Sequence, residues 1–159
     1  MLRFLFTLFI LLVLAFVPAK AQEQETPVTG KVLKVLPQLL DQKGRSTISP
    51  SLFDRDAYQA LLRSNADQVS GIRYDVNWKA KNAEFQTLTL RVELRGLHEE
   101  KVPREKTLET SIAGKRSLRK WTSVKLTGDD YAEFGRITAW RATLWCDGTL
   151  IDEYKSFLW

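Results

Sequence analysis

The segment IRYDVNWKA, residues 72 to 80, decides the fold class. Apolar and polar residues alternate along it without interruption, and successive side chains of a β-strand point to opposite faces. The pattern therefore predicts a strand that buries one face in a core and leaves the other face polar. The residues of the buried face are Ile72, Tyr74, Val76, Trp78 and Ala80.

The same period of two recurs in the next strand. Because this strand follows residues 72 to 80 after a short polar stretch, we expect the two to pair as a hairpin. Its predicted inward residues are Leu88, Leu90, Val92 and Leu94. Further strands are predicted at residues 31 to 36, 106 to 112, 121 to 127, 136 to 145 and 149 to 158. Pro37 should end the first of these, since proline lacks the N–H that a ladder requires.

One helix is predicted before the alternating strands, at about residues 52 to 64. Ser51 is a candidate N-cap at its start. Phe53, Ala57 and Leu61 follow at intervals of four residues and form an apolar stripe at helical spacing.

About seven antiparallel strands with one helix inserted near the N-terminus are typical of a mainly β protein with an immunoglobulin-like β-sandwich. We expect a single domain over residues 31 to 159. The last two strands are joined by CDG, residues 146 to 148. A loop of all three residues is preferred to a two-residue turn, because it places Arg141 opposite Glu153.

The chain begins with a segment typical of a cleavable secretory signal peptide, residues 1 to 21. Arg3 supplies the positive start, residues 4 to 17 are almost entirely apolar, and residues 19 to 21 read Ala-Lys-Ala. The apolar run is shorter than the ~20 residues that a membrane span needs, so no stable span is expected after cleavage. Residues 22 to 30 would form a flexible tether, and the protein is expected to be periplasmic or secreted.

Composition limits the chemistry. The chain has one histidine, His98, and one cysteine, Cys146, so nucleophilic triads and zinc sites lack the residues they need. We expect no metal and no cofactor, and a non-catalytic protein is favoured over an enzyme. The alternative is a small carboxylate-dependent hydrolase or carbohydrate-active protein. Its candidate acids cluster in two turns: Glu99, Glu100, Asp129, Asp130 and Glu133.

Basic residues outnumber acidic ones only slightly, but they are unevenly placed. Removal of Arg3 and Lys20 with the signal leaves 22 basic residues against 19 acidic, a net charge of +3. Alternate loops of an antiparallel sandwich gather at one end, and one end would be basic while the other collects His98 and the acids named above. The candidate binding residues at the basic end are Lys79, Lys81, Lys115, Arg116, Arg119, Lys120 and Trp121.

These features favour an exported, non-catalytic β-sandwich that acts as an interaction or structural module of the periplasm or cell envelope. Its partner would be a protein or an anionic envelope component. Nucleic acid is not expected as a partner, because export removes the protein from it and no recognition motif is present. A further alternative is a binder of anionic glycan or lipid headgroups through the basic loop end.

Overall fold

The computed structural model describes residues 26–99 and 101–159. Over these residues the chain is mainly β, with two antiparallel sheets that pack face to face. The elements in chain order are β1 (Thr29–Asp41), α1 (Leu52–Ser64), a 3-10 turn (Ala66–Gln68), β2 (Val69–Lys81), β3 (Thr87–His98), β4 (Val102–Ala113), β5 (Ser117–Thr127), α2 (Asp129–Phe134), β6 (Arg136–Cys146) and β7 (Thr149–Lys155).

Three strands form one sheet in the order β1-β2-β5, and four form the other in the order β4-β3-β6-β7. The predicted immunoglobulin-like antiparallel β-sandwich with one helix near the N-terminus is confirmed. The predicted hairpin of β2 and β3 is wrong, because β2 lies between β1 and β5 whereas β3 lies between β4 and β6. The alternation of residues fixes which face of a strand is buried, but it does not fix which strand lies beside it.

The core lies between the two sheets and contains the inward residues that the alternation predicts. Tyr74, Val76 and Trp78 of β2 are fully buried, as are the four predicted residues of β3 apart from a 1% exposure of Leu94. The indole N–H of Trp78 donates a hydrogen bond of 2.9 Å to the hydroxyl of Thr122 in β5. The largest side chain of the core is therefore both packed and satisfied.

β1 is longer than predicted at both ends. Thr29 and Gly30, expected in the tether, already pair with β2, and Pro37 lies within the strand opposite Tyr74. Because β1 is an edge of its sheet, only one of its sides forms ladder hydrogen bonds, and a proline is tolerated there. The predicted signal peptide, residues 1 to 21, lies outside the described residues.

The predicted helix is present as α1, and the hydroxyl of Ser51 caps it by accepting from the N–H of Asp54 at 3.4 Å. Its predicted apolar stripe is not the buried side, since Phe53 is 81% exposed and Leu61 is 49% exposed. Instead, the buried residues of α1 are Gln59 and Leu62. In the two ranges that the structure describes, no helix is long and apolar enough to cross a membrane.

Gln59 attaches α1 to the edge of the three-stranded sheet. Its side-chain oxygen accepts from the N–H of Leu39 in β1, and its side-chain nitrogen donates to the carbonyl of the same residue, both at 2.9 Å. The nitrogen also donates to the carbonyl of Ser46 at 2.8 Å. The amide thus replaces a neighbouring strand for one residue of the edge and holds the loop between β1 and α1 at the same time.

The hairpin of β6 and β7 has a different register from the one predicted. Its turn contains two residues, Asp147 and Gly148, with φ values of 45° and 83°, as a type I′ turn requires. A bulge in β7 then shifts the ladder, so that Arg141 lies opposite Lys155 and not opposite Glu153. The three-residue loop was wrong because the prediction assumed an unbroken ladder, whereas a bulge at Ile151 shifts the register beyond the tight turn.

Candidate functional site

Three loops meet at one end of the sandwich, as predicted. The β2–β3 loop and the β4–β5 loop share two backbone hydrogen bonds of 2.9 Å, from the N–H of Asn82 to the carbonyl of Arg116 and from the N–H of Gly114 to the carbonyl of Gln86. The β6–β7 turn joins them, because the N–H of Asp147 donates to the carbonyl of Thr87, the first residue of β3, at 3.1 Å. The loops at this end therefore form one continuous surface.

The seven predicted binding residues lie in three places. Four are exposed on the outer face of the three-stranded sheet: Lys79, Lys81, Arg119 and Trp121. Two are exposed in or beside the β4–β5 loop: Lys115 and Arg116. Lys120 is separated from the others. It lies opposite Trp78 in the ladder, so its side chain leaves the edge strand on the core-facing side of the sheet.

The same outer face carries three exposed lysines that the sequence did not identify as binding residues. Lys31 of β1 lies opposite Lys79, which lies opposite Arg119, so three cations form a row across the sheet. Only the strand order brings these residues together. We name this surface the basic face. It contains six cations, and the indole of Trp121 lies among them. Its six cations are Lys31, Lys34, Lys79, Lys81, Arg119 and Lys125.

The outer face of the four-stranded sheet is charged in a different way, because its arginines are paired with carboxylates of neighbouring strands. The pairs are Arg91 with Glu109 at 3.1 Å, Arg95 with Glu105 at 3.2 Å, and Arg141 with Glu93 at 2.7 Å. By contrast, none of the ion pairs among residues 26–99 and 101–159 includes a cation of the basic face. The outer face of the three-stranded sheet has one such pair, Arg73 with Asp75, but the six cations of the basic face are not paired within the described part of the chain.

The row of Lys31, Lys79 and Arg119 has an energetic cost. Like charges directly opposite each other on neighbouring strands destabilise a sheet. The unpaired cations also sum to a positive potential above the sheet. An anion bound there would relieve the repulsion and accept charge-assisted hydrogen bonds from the ammonium and guanidinium groups.

A groove of about 470 Å³ opens beside the basic face. Its floor is the sheet itself, at Leu36, Arg73 and Asp75, and one side is the indole of Trp121, which is 50% exposed. The β1–α1 loop and the first turn of α1 form the other side. The residues that line this second side are Thr47, Ser49, Pro50 and Arg55. The volume lies within the range of small-ligand sites.

Arg73 joins the floor of the groove to the loop above it. Its guanidinium contacts the carboxylate of Asp75 at 2.8 and 3.1 Å. It also donates to the side-chain oxygen of Gln38 at 2.9 Å and to the hydroxyl of Ser46 at 3.1 Å. These hydrogen bonds fix the position of the β1–α1 loop relative to the sheet, and so they define the shape of the groove.

Asp41 holds the first residues of the same loop. One carboxylate oxygen accepts from the N–H groups of Lys43 and Arg45, both at 2.8 Å, and the other accepts from the Tyr58 hydroxyl at 2.7 Å and the Arg45 side chain at 2.9 Å. Burial would by itself raise the pKa of Asp41, but these hydrogen bonds favour the charged form and hold the pKa well below its usual range. The loop that forms one side of the groove is therefore fixed to the sheet by a charged group.

The acidic loops lie at the other end of the sandwich. Gly135, directly after α2, lies against the backbone of Leu97 and His98 near the β3–β4 turn. Lys106 contacts the carboxylate of Asp130 at 2.7 Å. Glu100 is outside the described residues. Among those that are described, no group of three or more His, Cys, Asp or Glu is arranged to hold a metal ion. The acids of α2 are all exposed to solvent: Asp129, Asp130 and Glu133.

No protein-family model and no curated protein matches the chain. The chain is similar to a crystal structure from Akkermansia muciniphila, with 11% sequence identity and a TM-score of 0.49, over 86% of this chain and 75% of that one. The basic face and the groove are therefore the features from which a function is inferred.

Proposed function

We propose that this protein is an exported, non-catalytic β-sandwich that serves as an interaction module of the periplasm or cell envelope and binds an anionic partner through its basic face. One observation carries the proposal. Six exposed cations share one sheet face and have no acidic partner among the described residues, whereas the arginines of the opposite sheet face are paired.

A role in solubility alone does not account for this contrast. A surface that only keeps a protein soluble intersperses charges of both signs, as the outer face of the four-stranded sheet does. The basic face instead places like charges opposite each other, at a cost to the stability of the sheet. An anionic partner would offset that cost, and the positive field would accelerate its association.

The arrangement of the two residues most suited to nucleophilic catalysis supports a non-catalytic role. Cys146 lies opposite Leu88 at the start of β3, and His98 is the last residue of that strand. Ten residues of strand separate the two positions by about 30 Å. They cannot form a nucleophile and base pair.

Export is supported by the signal-like segment at residues 1 to 21. Expression of the full chain should yield a protein outside the cytosol whose first residue is near Gln22. Recovery of that protein only from the cytosol, with Met1 retained, would contradict export.

Binding is tested by charge reversal with a matched control. Lys79→Glu combined with Arg119→Glu changes the basic face, and Arg91→Glu combined with Arg95→Glu makes the same change in net charge on the paired face. Polyglutamate, a plain polyanion, should bind the native protein and the control variant but not the basic-face variant. Binding should also disappear at ~0.5 M salt, where the screening length is only about 4 Å. Equal binding by both variants would refute the proposal.

A further inference from the structure

We infer that the partner of the basic face is an acidic glycan, with one sugar unit in the groove beside Trp121 and its charged groups over the cations. The inference rests on the proposed function and specifies its ligand. Three features support it: the mixed hydrogen-bonding groups of the groove, the exposed indole, and the distance from that indole to the row of cations.

The groove contains both donors and acceptors. The guanidinium of Arg55 and the hydroxyls of Thr47 and Ser49 line one side, and the carboxylate of Asp75 lies on the floor. A sugar hydroxyl donates one hydrogen bond and accepts others, so it suits a site of this mixed kind. The carboxylate of Asp75 is already paired with Arg73 and accepts from the Ser123 hydroxyl, so the floor offers no unpaired charge to a phosphate or sulfate. The groove is therefore suited to an uncharged, hydroxyl-rich group, and the anionic groups of the ligand belong outside it.

Trp121 is the most exposed of the five tryptophans. It lies in the outward series of β5 and is half-exposed, whereas Trp78 is fully buried in the core and the indole N–H of Trp145 donates to the Thr143 hydroxyl at 2.8 Å. The indole forms one side of the groove. An exposed aromatic face can cover the apolar C–H face of a sugar ring while the ring hydroxyls keep polar partners. An acidic glycan can make both the aromatic and the polar contacts, whereas a polyanion without sugar rings cannot.

The cations lie at the distance that a polymer requires. Trp121 is in the cross-strand row of Lys34 and Asn77, and the row of Lys79 and Arg119 follows two residues further along each strand. Two residues of strand span about 7 Å. The floor of the groove at Asp75 is two residues further from that row than Trp121 is, about 13 Å in all, so a carboxylate or sulfate one or two sugars beyond the groove would lie over the cations. The groove supplies selectivity and the basic face supplies charge.

A membrane surface fits these features less well. The β1–α1 loop stands above the sheet beside the groove, so a flat bilayer would contact Pro50 before it reached Asp75 on the floor. A chain polymer can enter the groove lengthwise and avoids this obstacle.

The test compares three probes on protein purified after expression of the full chain. The probes are hyaluronate, polyglutamate with the same number of carboxylates, and vesicles of anionic phospholipid. Hyaluronate alternates glucuronate with an uncharged N-acetylglucosamine, so it can place an uncharged sugar in the groove and carboxylates outside it. It should bind about tenfold more tightly than polyglutamate, and Trp121→Ala should remove most of that difference. Trp145→Ala on the other sheet face is the matched control and should preserve it. Trp121→Phe should restore part of the preference, and unfolding curves should show that every variant is folded.

Each other outcome overturns a defined part of the account. Equal affinity for the two polymers, or no effect of Trp121→Ala, would refute the glycan while leaving anion binding intact. Preferential binding to the vesicles would refute the glycan in favour of a membrane surface. No binding to any of the three probes would refute the proposed function together with the inference.

Discussion

Replacement of Asp41 by asparagine should destabilise the protein by about 2–3 kcal/mol at pH 7. The amide oxygen can still accept from the N–H groups of Lys43 and Arg45, but the amide nitrogen would replace the oxygen that Tyr58 and the Arg45 side chain now contact. Two hydrogen bonds to a charged acceptor are lost, each worth about 1.5–3 kcal/mol when well buried. The total is reduced because the Arg45 side chain is half-exposed and screened by solvent.

The effect of Asp41→Asn on the free energy of unfolding should depend on pH. The pKa of Asp41 is lower in the folded protein than in the unfolded chain, so the stabilisation is present at neutral pH and is lost as the pH falls below about 4. Urea unfolding followed by tryptophan fluorescence should show the gap in unfolding free energy between native protein and Asp41→Asn narrowing steadily from pH 5 to pH 2. Asp67→Asn, at an exposed carboxylate, is the control and should match the native protein throughout. A gap that stays constant with pH would refute the reasoning.

Two further substitutions test the core and the loop end. Tyr74→Phe should leave the free energy of unfolding unchanged or raise it by up to about 1 kcal/mol, because the buried Tyr74 hydroxyl has no hydrogen-bond partner among the described residues; a clear loss in urea unfolding would show that the hydroxyl is satisfied. Gly114→Ala should cost about 3 kcal/mol or more, because a Cβ there would clash with the carbonyl oxygen of Ala83. An unchanged melting temperature for this variant would contradict the contact between the two loops.

The fold class could be read from residues 72 to 80 because the pleat of a strand determines which side chains share a face. The neighbours of that strand could not be read in the same way. Lys31 is far from Lys79 in sequence, and only the order β1-β2-β5 places it beside Lys79 and brings Lys125 onto the same outer face. Strand order depends on long-range packing, which leaves no local pattern in the sequence. Part of the basic face was therefore missed, although Lys79, Arg119 and Trp121 were identified.

The groove was missed for a second physical reason. Its position depends on how α1 docks, and the apolar stripe of Phe53 and Leu61 indicated the wrong side of the helix. The helix is attached through Gln59, whose amide forms three hydrogen bonds to β1 and the loop. A polar contact of this kind has no periodic pattern in the sequence, because it stabilises the structure through hydrogen bonds to backbone groups of distant residues. Ser51 was identified correctly because a helix cap depends on neighbouring residues only.

The most direct test of the account is sedimentation of the purified protein with the envelope fraction of the cells that produce it. The native protein and the Arg91→Glu, Arg95→Glu variant should sediment with the envelope at low salt and be released at ~0.5 M salt. The Lys79→Glu, Arg119→Glu variant should stay in solution at both salt concentrations. Sedimentation of this variant to the same extent as the native protein would contradict the claim that the basic face binds an anionic partner.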